Sequence, residues 1–210
     1  MPTEQDYKAA LALALDTLAR LDIDKCCAMT GLSVEGADTH QRRVIIPYLG
    51  HIYSLSISDG NIAFENGDVS IKLPDQVLLL HYLITSSGVP VENRWITFRE
   101  VPSGPFYYPS FVKRAITPLV RSIGQTPAIL EQVAQTIGQI AKTPGDIALK
   151  VIPLPRVPVV LTLWKGDEEF LPEGNVYFDA SVSSYLPTED IAYIAGAVVY
   201  KVLAIARGLM

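Results

Sequence analysis

The sequence predicts an α+β protein in which one antiparallel β-sheet packs against about five helices. Apolar residues recur every three or four positions between Gln5 and Leu21, which is the period of an α-helix. Between Ile52 and Ile57 the period changes to two, which is typical of a strand. The turn-forming pairs Asp59-Gly60 and Asn66-Gly67 follow with no helix between them, so an N-terminal antiparallel meander is expected, with a last strand at 69–73.

The later elements complete this class. Pro74 is expected to begin a helix through about Ser86, and this helix should be central because its leucines leave no wide polar face. Segments 147–152 and 157–164 predict a second strand pair, and the latter is apolar enough to be buried on both faces. A last helix is expected from about Glu189 to Arg207. Since no linker or repeat interrupts the chain, we predict a single domain over residues 1–210.

Proline and glycine make the remaining elements harder to place. Pro47 predicts that its strand lies at a sheet edge, because proline donates no backbone hydrogen bond. Four more elements are expected: a short strand at Trp95–Phe98, a helix at Ser110–Ile123 bent near Thr117, a helix from Pro127 to Ile140, and a strand at Val176–Asp179.

The composition indicates which classes of partner and which cellular compartment to expect. The 210 residues carry a net charge of −5, which disfavours nucleic-acid binding because phosphates need a cationic face. Cys26 and Cys27 are adjacent, so they have neither disulfide nor zinc-ligand spacing, and no metal site is expected. The apolar stretch Ile191–Ala206 contains Lys201 and is shorter than the roughly 20 residues that span a bilayer. We therefore expect a cytoplasmic protein without a membrane or nucleic-acid partner.

Segment 94–114 is the most informative stretch, because it mixes aromatic residues, cations and rigid turns in a long connection. Its rings include Trp95, Tyr107 and Tyr108, which can line an apolar pocket. Arg99 and Arg114 can anchor an anion there. The alternative is a loop whose aromatic residues simply pack on the core.

Three further groups are candidates. Glu100 follows Arg99, and Asp167 and Glu168 belong to an acidic run after the second buried strand. These carboxylates can act as acids or bases or hold a hard cation. For the acidic run, solvated turn charges or salt bridges to Arg99, Arg114 or Arg156 are the favoured explanation. His81 lies among leucines, where it is either a structural histidine or a ligand to a metal or tetrapyrrole. No phosphate-loop, dinucleotide, zinc-protease or serine-hydrolase motif occurs.

An ordered series of short motifs resembles a prokaryotic family, the domain of unknown function three-seven-eight-six. The motifs are Leu79–Leu83, Gly88–Pro90, Trp95–Gly104, Tyr107–Phe111, Gly145-Asp146, Leu154–Pro158, Leu163–Phe170, Phe178-Asp179 and Tyr185–Asp190. The resemblance covers most of residues 70–200 and implies a protein of anaerobic bacteria or archaea, with no established activity. Some members carry an extra four-cysteine iron–sulfur domain like those of corrinoid proteins, but Cys26 and Cys27 cannot supply four ligands.

Three functions follow as hypotheses, in this order. The first is a small-molecule or cofactor binding module in which segment 94–114, with His81 and the acidic turn, holds an anionic ligand in a shared cleft. The cofactor is unknown, and a tetrapyrrole or corrinoid is suggested only by the family resemblance. The second is a protein-interaction scaffold that docks through exposed aromatic residues. The third is an enzyme that uses Glu100, Asp167 or Glu168 as acid or base, or a divalent metal.

Overall fold

A computed structural model describes residues 3–36, 42–58, 61–64, 71–142 and 145–209. The protein is α+β, as predicted, with two antiparallel sheets instead of one. The chain divides into two compact units. The first contains Met1–Pro90, Leu154–Arg156 and Ser184–Pro187, and the second contains Val91–Pro153, Val157–Ser183 and Thr188–Met210. The expectation of a single domain stays a prediction.

Over its described residues, the first unit combines three helices with a four-stranded sheet. The helices are α1 (Glu4–Leu18), α2 (Ile23–Thr30) and α3 (Leu73–Thr85). The strands, in the order β1-β2-β3-β4, are β1 (Ser33–Glu35), β2 (Arg42–Tyr48), β3 (His51–Ser58) and β4 (Asn61–Phe64). The helix expected to reach Leu21 ends at Leu18, because the Asp22 side chain accepts from the Lys25 amide and caps a second helix.

The meander is confirmed between β2 and β4, with one correction for Pro47. Strand β2 is an inner strand, since it pairs with β1 and β3. Proline is tolerated there because β1 pairs only with Arg43–Ile45, and Pro47 lies beyond that short ladder. The expected turns at Asp59-Gly60 and Asn66-Gly67 lie outside the described residues. Residues 69–70 of the strand expected at 69–73 also lie outside them. The rest of that expectation is wrong, because residues 71–72 have no regular structure and Leu73 begins α3.

Helix α3 is buried as predicted, and Tyr82 connects it to two other segments of the first unit. The Tyr82 hydroxyl donates to the Thr30 carbonyl oxygen at 2.6 Å and accepts from the Arg156 amide at 3.1 Å. Burial raises the pKa of this phenol, so it stays protonated and keeps its donor. Tyr82 thus stabilises the end of α2 and the 154–156 turn.

The second unit contains a five-stranded antiparallel sheet. Its order is β5-β9-β8-β7-β6, formed by β5 (Trp95–Thr97), β6 (Gln139–Ile140), β7 (Ile147–Leu154), β8 (Val157–Trp164) and β9 (Glu173–Asp179). The central strand β8 is buried from Val157 to Leu163, as its nearly continuous apolar sequence predicts. The helix expected through Ile140 is wrong. Helix α6 (Ile129–Val133) is short, and Gly138 adopts a φ of 83° that leads into β6.

One nearly continuous helical stretch, Gly104–Ile123, crosses the second unit. It consists of α4 (Gly104–Phe111), a π-helical turn (Val112–Ile116) and α5 (Thr117–Ile123). The expected start at Ser110 is wrong, because the prolines in the first half of the stretch do not prevent helix formation. The irregularity expected near Thr117 is a π-turn. The Thr117 amide donates to the Val112 oxygen five residues earlier, directly before Pro118, which has no amide hydrogen.

The last helix, α7 (Thr188–Leu209), is the core helix of the second unit. The Thr188 hydroxyl donates to the Pro102 carbonyl oxygen at 2.6 Å. A Cβ added at Gly196 would lie 3.5 Å from the Arg114 carbonyl oxygen, so α7 packs closely on the π-turn. By length and composition α7 could cross a membrane, and 56% of its apolar window is buried inside the protein. Burial of this kind is typical of a core helix.

Candidate functional site

The aromatic residues of segment 94–114 divide into a buried set and an exposed set. Phe98 stacks on Phe111 with ring centroids 4.2 Å apart, and both pack against Phe178 in the core. Phe106 is 81% exposed and meets Tyr107 edge to face at 5.1 Å. Part of the segment is therefore pinned to the core, and part of it lies on the surface.

Arg99 lies on this surface part and stacks on an aromatic ring. Its guanidinium carbon is 3.8 Å from the centroid of the Tyr108 ring. The half-buried Trp95 has a comparable neighbour in Lys150, whose Nζ is 5.5 Å from the indole. Both are cation–π contacts, in which the face of the ring attracts the cation. The predicted residues Arg99 and Tyr108 thus lie together at the beginning of the helical stretch.

The Glu100 carboxylate caps a turn of 3₁₀ helix over Phe98–Glu100. It accepts from the backbone amide and the hydroxyl of Thr97, at 2.8 and 2.9 Å. These hydrogen bonds lower the pKa of Glu100 because they favour its charged form. A carboxylate held anionic in this way is suited to capping and poorly suited to donating a proton at neutral pH.

In the acidic turn, residues 167–169, a carboxylate likewise accepts hydrogen bonds that lower its pKa. The Asp167 carboxylate accepts from the backbone amides of Phe170 and Glu169, at 2.7 and 2.9 Å, and both bonds lower its pKa. Glu168 is exposed at the next position. The turn projects Phe170 and Leu171, which are 69% and 85% exposed.

The acidic turn and the Arg99–Tyr108 pair lie at opposite ends of the helical stretch. A Cβ added at Gly124 would lie 2.9 Å from the Pro172 side chain, which places the turn beside the carboxyl end of α5. Tyr108 is in the second turn of α4. Because a helix rises 1.5 Å per residue, roughly 24 Å of helix separates Tyr108 from Gly124. The contacts therefore do not bring these two predicted groups to one place.

A cavity of about 360 Å³ lies at the α5 end of this stretch. Its wall is formed on one side by α5 and the end of the π-turn, and on the other by the start of β9. The lining residues are Ile116, Thr117, Val120, Arg121, Pro172, Glu173 and Gly174. Neither Glu100 nor Asp167 lines it.

Gly174 lets the two walls of the cavity approach one another. A Cβ at Gly174 would lie 2.9 Å from the Val120 side chain and 3.2 Å from the Thr162 carbonyl oxygen. No side chain larger than hydrogen fits there without movement. Thr117 and Arg121 are four residues apart and share one face of α5, so both face the cavity. Neither Arg121 nor Glu173 is among the site residues that the sequence predicts, because neither belongs to a recognisable motif.

The helical stretch carries an uncompensated positive charge. Between Gly104 and Ile123 there are three basic residues, Lys113, Arg114 and Arg121, and no acidic residue. Among the described residues none of the three has an ion-pair partner. These three positive charges lie in a chain with a net charge of −5, and the one that lines the cavity, Arg121, shares it with the Glu173 carboxylate.

The other candidate residues are located as follows. His81 lies on α3 in the first unit, where its carbonyl oxygen accepts from the Thr85 hydroxyl at 2.9 Å. Arg114 is half-buried on the π-turn. Cys26 and Cys27 are buried on α2, and burial raises the pKa of both thiols, that of Cys27 to about 11. In the part of the chain that the structure describes, no group of three or more histidine, cysteine or acidic side chains is placed to hold a metal ion.

Comparison with known proteins identifies the class of this α+β protein. The sequence profile of the Domain of unknown function (DUF3786) matches residues 22–201. The chain therefore belongs to the DUF3786 family, and the match begins about fifty residues earlier than the short motifs alone indicated. No curated protein and no solved structure matches the chain.

Proposed function

We propose that this protein is a small-molecule binding module whose ligand carries an anionic group. One observation carries the proposal: a cavity of about 360 Å³ lies against a helical stretch that has three cations and no acid. The cavity joins apolar walls to a few polar groups, which is the usual composition of a ligand site. Arg121 is the one cation in its lining and Glu173 is the one anion, and both residues are exposed.

The size of the cavity favours a compact metabolite. Its volume is near the lower end of the range for small-molecule pockets, about 300–1,000 Å³. No residue that lines the cavity is a histidine or cysteine, so its lining offers no axial ligand for the metal of a tetrapyrrole or corrinoid. The ligand of this site is therefore proposed to be a small carboxylate or phosphate, bound in the cytoplasm.

Ligand-observed NMR with a panel of small anions tests this function. The panel contains acetate, isovalerate and succinate, with isoamylamine as the cationic control. Inorganic phosphate has no carbon-bound proton, so it is tested by its competition with whichever of these anions gives a signal. We expect saturation transfer to at least one anion and loss of that signal in Arg121→Gln, because the substitution removes the cation that faces the cavity. Arg207→Gln is the matched control, since Arg207 is exposed near the end of α7 and lines no part of the cavity.

Two results would contradict the proposal. One is the absence of a signal from every anion in the panel. The other is equal binding by Arg121→Gln and the unmodified protein. Circular dichroism of both variants ensures that a lost signal reflects the site and not the fold.

A second candidate function is protein interaction through the acidic turn. Phe170 and Leu171 are adjacent and largely exposed, and Glu168 and Glu169 precede them. Adjacent exposed apolar residues with an acidic flank suit a partner that presents an apolar groove with a basic rim. Phe170→Ser/Leu171→Ser should leave stability unchanged while raising solubility. Lower stability would show instead that both side chains serve the fold.

A further inference from the structure

We infer that the α5 cavity takes a zwitterion of the α-amino-acid type with an apolar side chain. This inference rests on the proposed function and names its ligand class. Three polar side chains line the cavity: Thr117, Arg121 and Glu173. Two of them carry opposite charges on facing walls, so the cavity offers a partner to each end of a zwitterion.

The two opposite charges are not paired within the part of the protein that the structure describes. Arg121 and Glu173 form no ion pair with one another or with any other described residue. The Thr117 hydroxyl also makes no side-chain hydrogen bond with another described residue. An arginine and a glutamate that line one cavity without pairing leave a donor set and an acceptor set for a ligand.

The fold holds these charges apart through two different elements. Arg121 is on α5, one turn after Thr117. Glu173 is the first residue of β9 and pairs with Trp164 of β8. The close approach of Gly174 to Val120 sets the spacing between helix and strand. The α-carboxylate and α-ammonium of an amino acid are similarly fixed relative to one another, because they share one carbon.

The apolar walls accept the rest of the ligand. Ile116, Val120 and Pro172 line the cavity between the charged groups. In this arrangement Arg121 and the Thr117 hydroxyl donate to the ligand carboxylate, and the Glu173 carboxylate accepts from its ammonium group. An aliphatic side chain then packs on the three apolar residues. Leucine combines these features and is the probe of choice.

Three molecules with the same aliphatic group are compared, so that their affinities separate the contribution of the carboxylate from that of the ammonium group. Leucine has both charged groups, isovalerate lacks the ammonium group, and isoamylamine lacks the carboxylate. Isothermal titration calorimetry of the full-length protein should give a leucine affinity about tenfold higher than that of isovalerate, because one charge-assisted hydrogen bond is lost. Isoamylamine should bind more weakly than leucine by at least the same factor.

Glu173→Gln tests the assignment of the ammonium contact. We expect leucine affinity to fall about tenfold in this variant while isovalerate affinity is unchanged or higher, since the repulsion between two carboxylates is removed. Glu131→Gln is the control, because Glu131 is an exposed carboxylate on α6 that does not line the cavity. It should bind all three probes as the unmodified protein does.

The outcomes distinguish this inference from the proposed function. If isovalerate binds as tightly as leucine and both are lost in Arg121→Gln, the anion site is retained and the zwitterion inference is overturned. If Glu173→Gln lowers isovalerate affinity as strongly as leucine affinity, the role of Glu173 as the ammonium partner is also overturned. If none of the three probes binds and the anion panel is equally silent, both proposals fail together.

Discussion

The Asp179 carboxylate accepts a hydrogen bond of 2.6 Å from the backbone amide of Asn93, eighty-six residues earlier in the chain. It also accepts from the Glu92 amide at 3.0 Å, and from the amide and hydroxyl of Ser181 at 3.0 and 2.6 Å. Asn93 has a φ of 56°, a left-handed conformation that asparagine tolerates better than most residues. One buried carboxylate thus fixes the loop that leads into segment 94–114.

Replacing Asp179 by asparagine should destabilise the protein. Three of the four hydrogen bonds reach Oδ1 and one, from the Asn93 amide, reaches Oδ2. Asparagine keeps one acceptor oxygen and replaces the other by an NH2 group, so at least one buried backbone donor loses its partner and faces another donor. We expect Asp179→Asn to lower the free energy of unfolding by about 2–3 kcal/mol, measured by urea denaturation. Asp146→Asn is the matched control. Asp146 is exposed and accepts one hydrogen bond, from the Lys165 amide, so its loss should be about 1 kcal/mol or less.

The contribution of Asp179 should depend on pH. Burial raises the pKa of this carboxyl, but the Ser181 hydroxyl and the backbone amides of Glu92, Ser181 and Asn93 lower it more, so the net shift is downward from 3.8. A depressed folded-state pKa gives stability that is present above the unfolded-state pKa and is lost as the pH falls through the folded-state pKa. The difference in unfolding free energy between the unmodified protein and Asp179→Asn should therefore be constant from about pH 7 to 5 and shrink below about pH 4. A difference that grows as the pH falls would refute this account of Asp179.

Gly104 should not tolerate a side chain. A Cβ at this position would lie 1.9 Å from the Phe98 carbonyl oxygen, which belongs to the turn that positions Arg99. Overpacking of this kind costs about 1–3 kcal/mol, so Gly104→Ala should lower the melting temperature by roughly 2–10 °C. Gly208→Ala is the control, since nothing lies within 4 Å of its added Cβ. Equal melting temperatures for the two variants would show that α4 does not pack on the Phe98 turn.

The stacking of Arg99 on Tyr108 should contribute a small coupling energy. An exposed cation–π contact is worth about 0.5–1 kcal/mol. A double-mutant cycle with Arg99→Ala and Tyr108→Leu should therefore give a coupling of that size in the free energy of unfolding. Strictly additive effects would mean that the guanidinium does not tie the loop to α4, and would favour the earlier expectation that Arg99 serves a ligand.

Local sequence features predicted much of the fold. Strand β8 was recognisable because it is apolar from Val157 to Leu163, and α3 because Pro74 precedes a long apolar run. The beginning of the 104–123 helical stretch was not recognisable as a helix, since its prolines are typical of loops. The helix at this point depends on a packing contact, namely the close approach of Gly104 to the Phe98 carbonyl oxygen. Likewise α6 ends at Val133, and the turn that follows it leads into β6 through Gly138, whose φ of 83° no helix contains.

The cavity could not be predicted from the sequence in the same way. Arg121 and Glu173 are fifty-two residues apart, and only the position of β9 beside α5 places them on one cavity. Neither belongs to a motif, and no pattern in the sequence around Glu173 indicates a binding site. The predicted aromatic and cationic segment forms the beginning of the same helical stretch, but its Arg99–Tyr108 pair lies roughly 24 Å from the α5 end.

The most direct test of the central claim is to locate the bound anion. Titration of the ¹⁵N-labelled protein with isovalerate, followed by amide chemical shifts, reports where the carboxylate lies. We expect saturable shifts at Thr117, Arg121 and Gly174, with Trp95–Tyr108 unaffected. Shifts centred on Arg99 and Tyr108, or no saturable shift at any amide, would contradict the assignment of ligand binding to the α5 cavity.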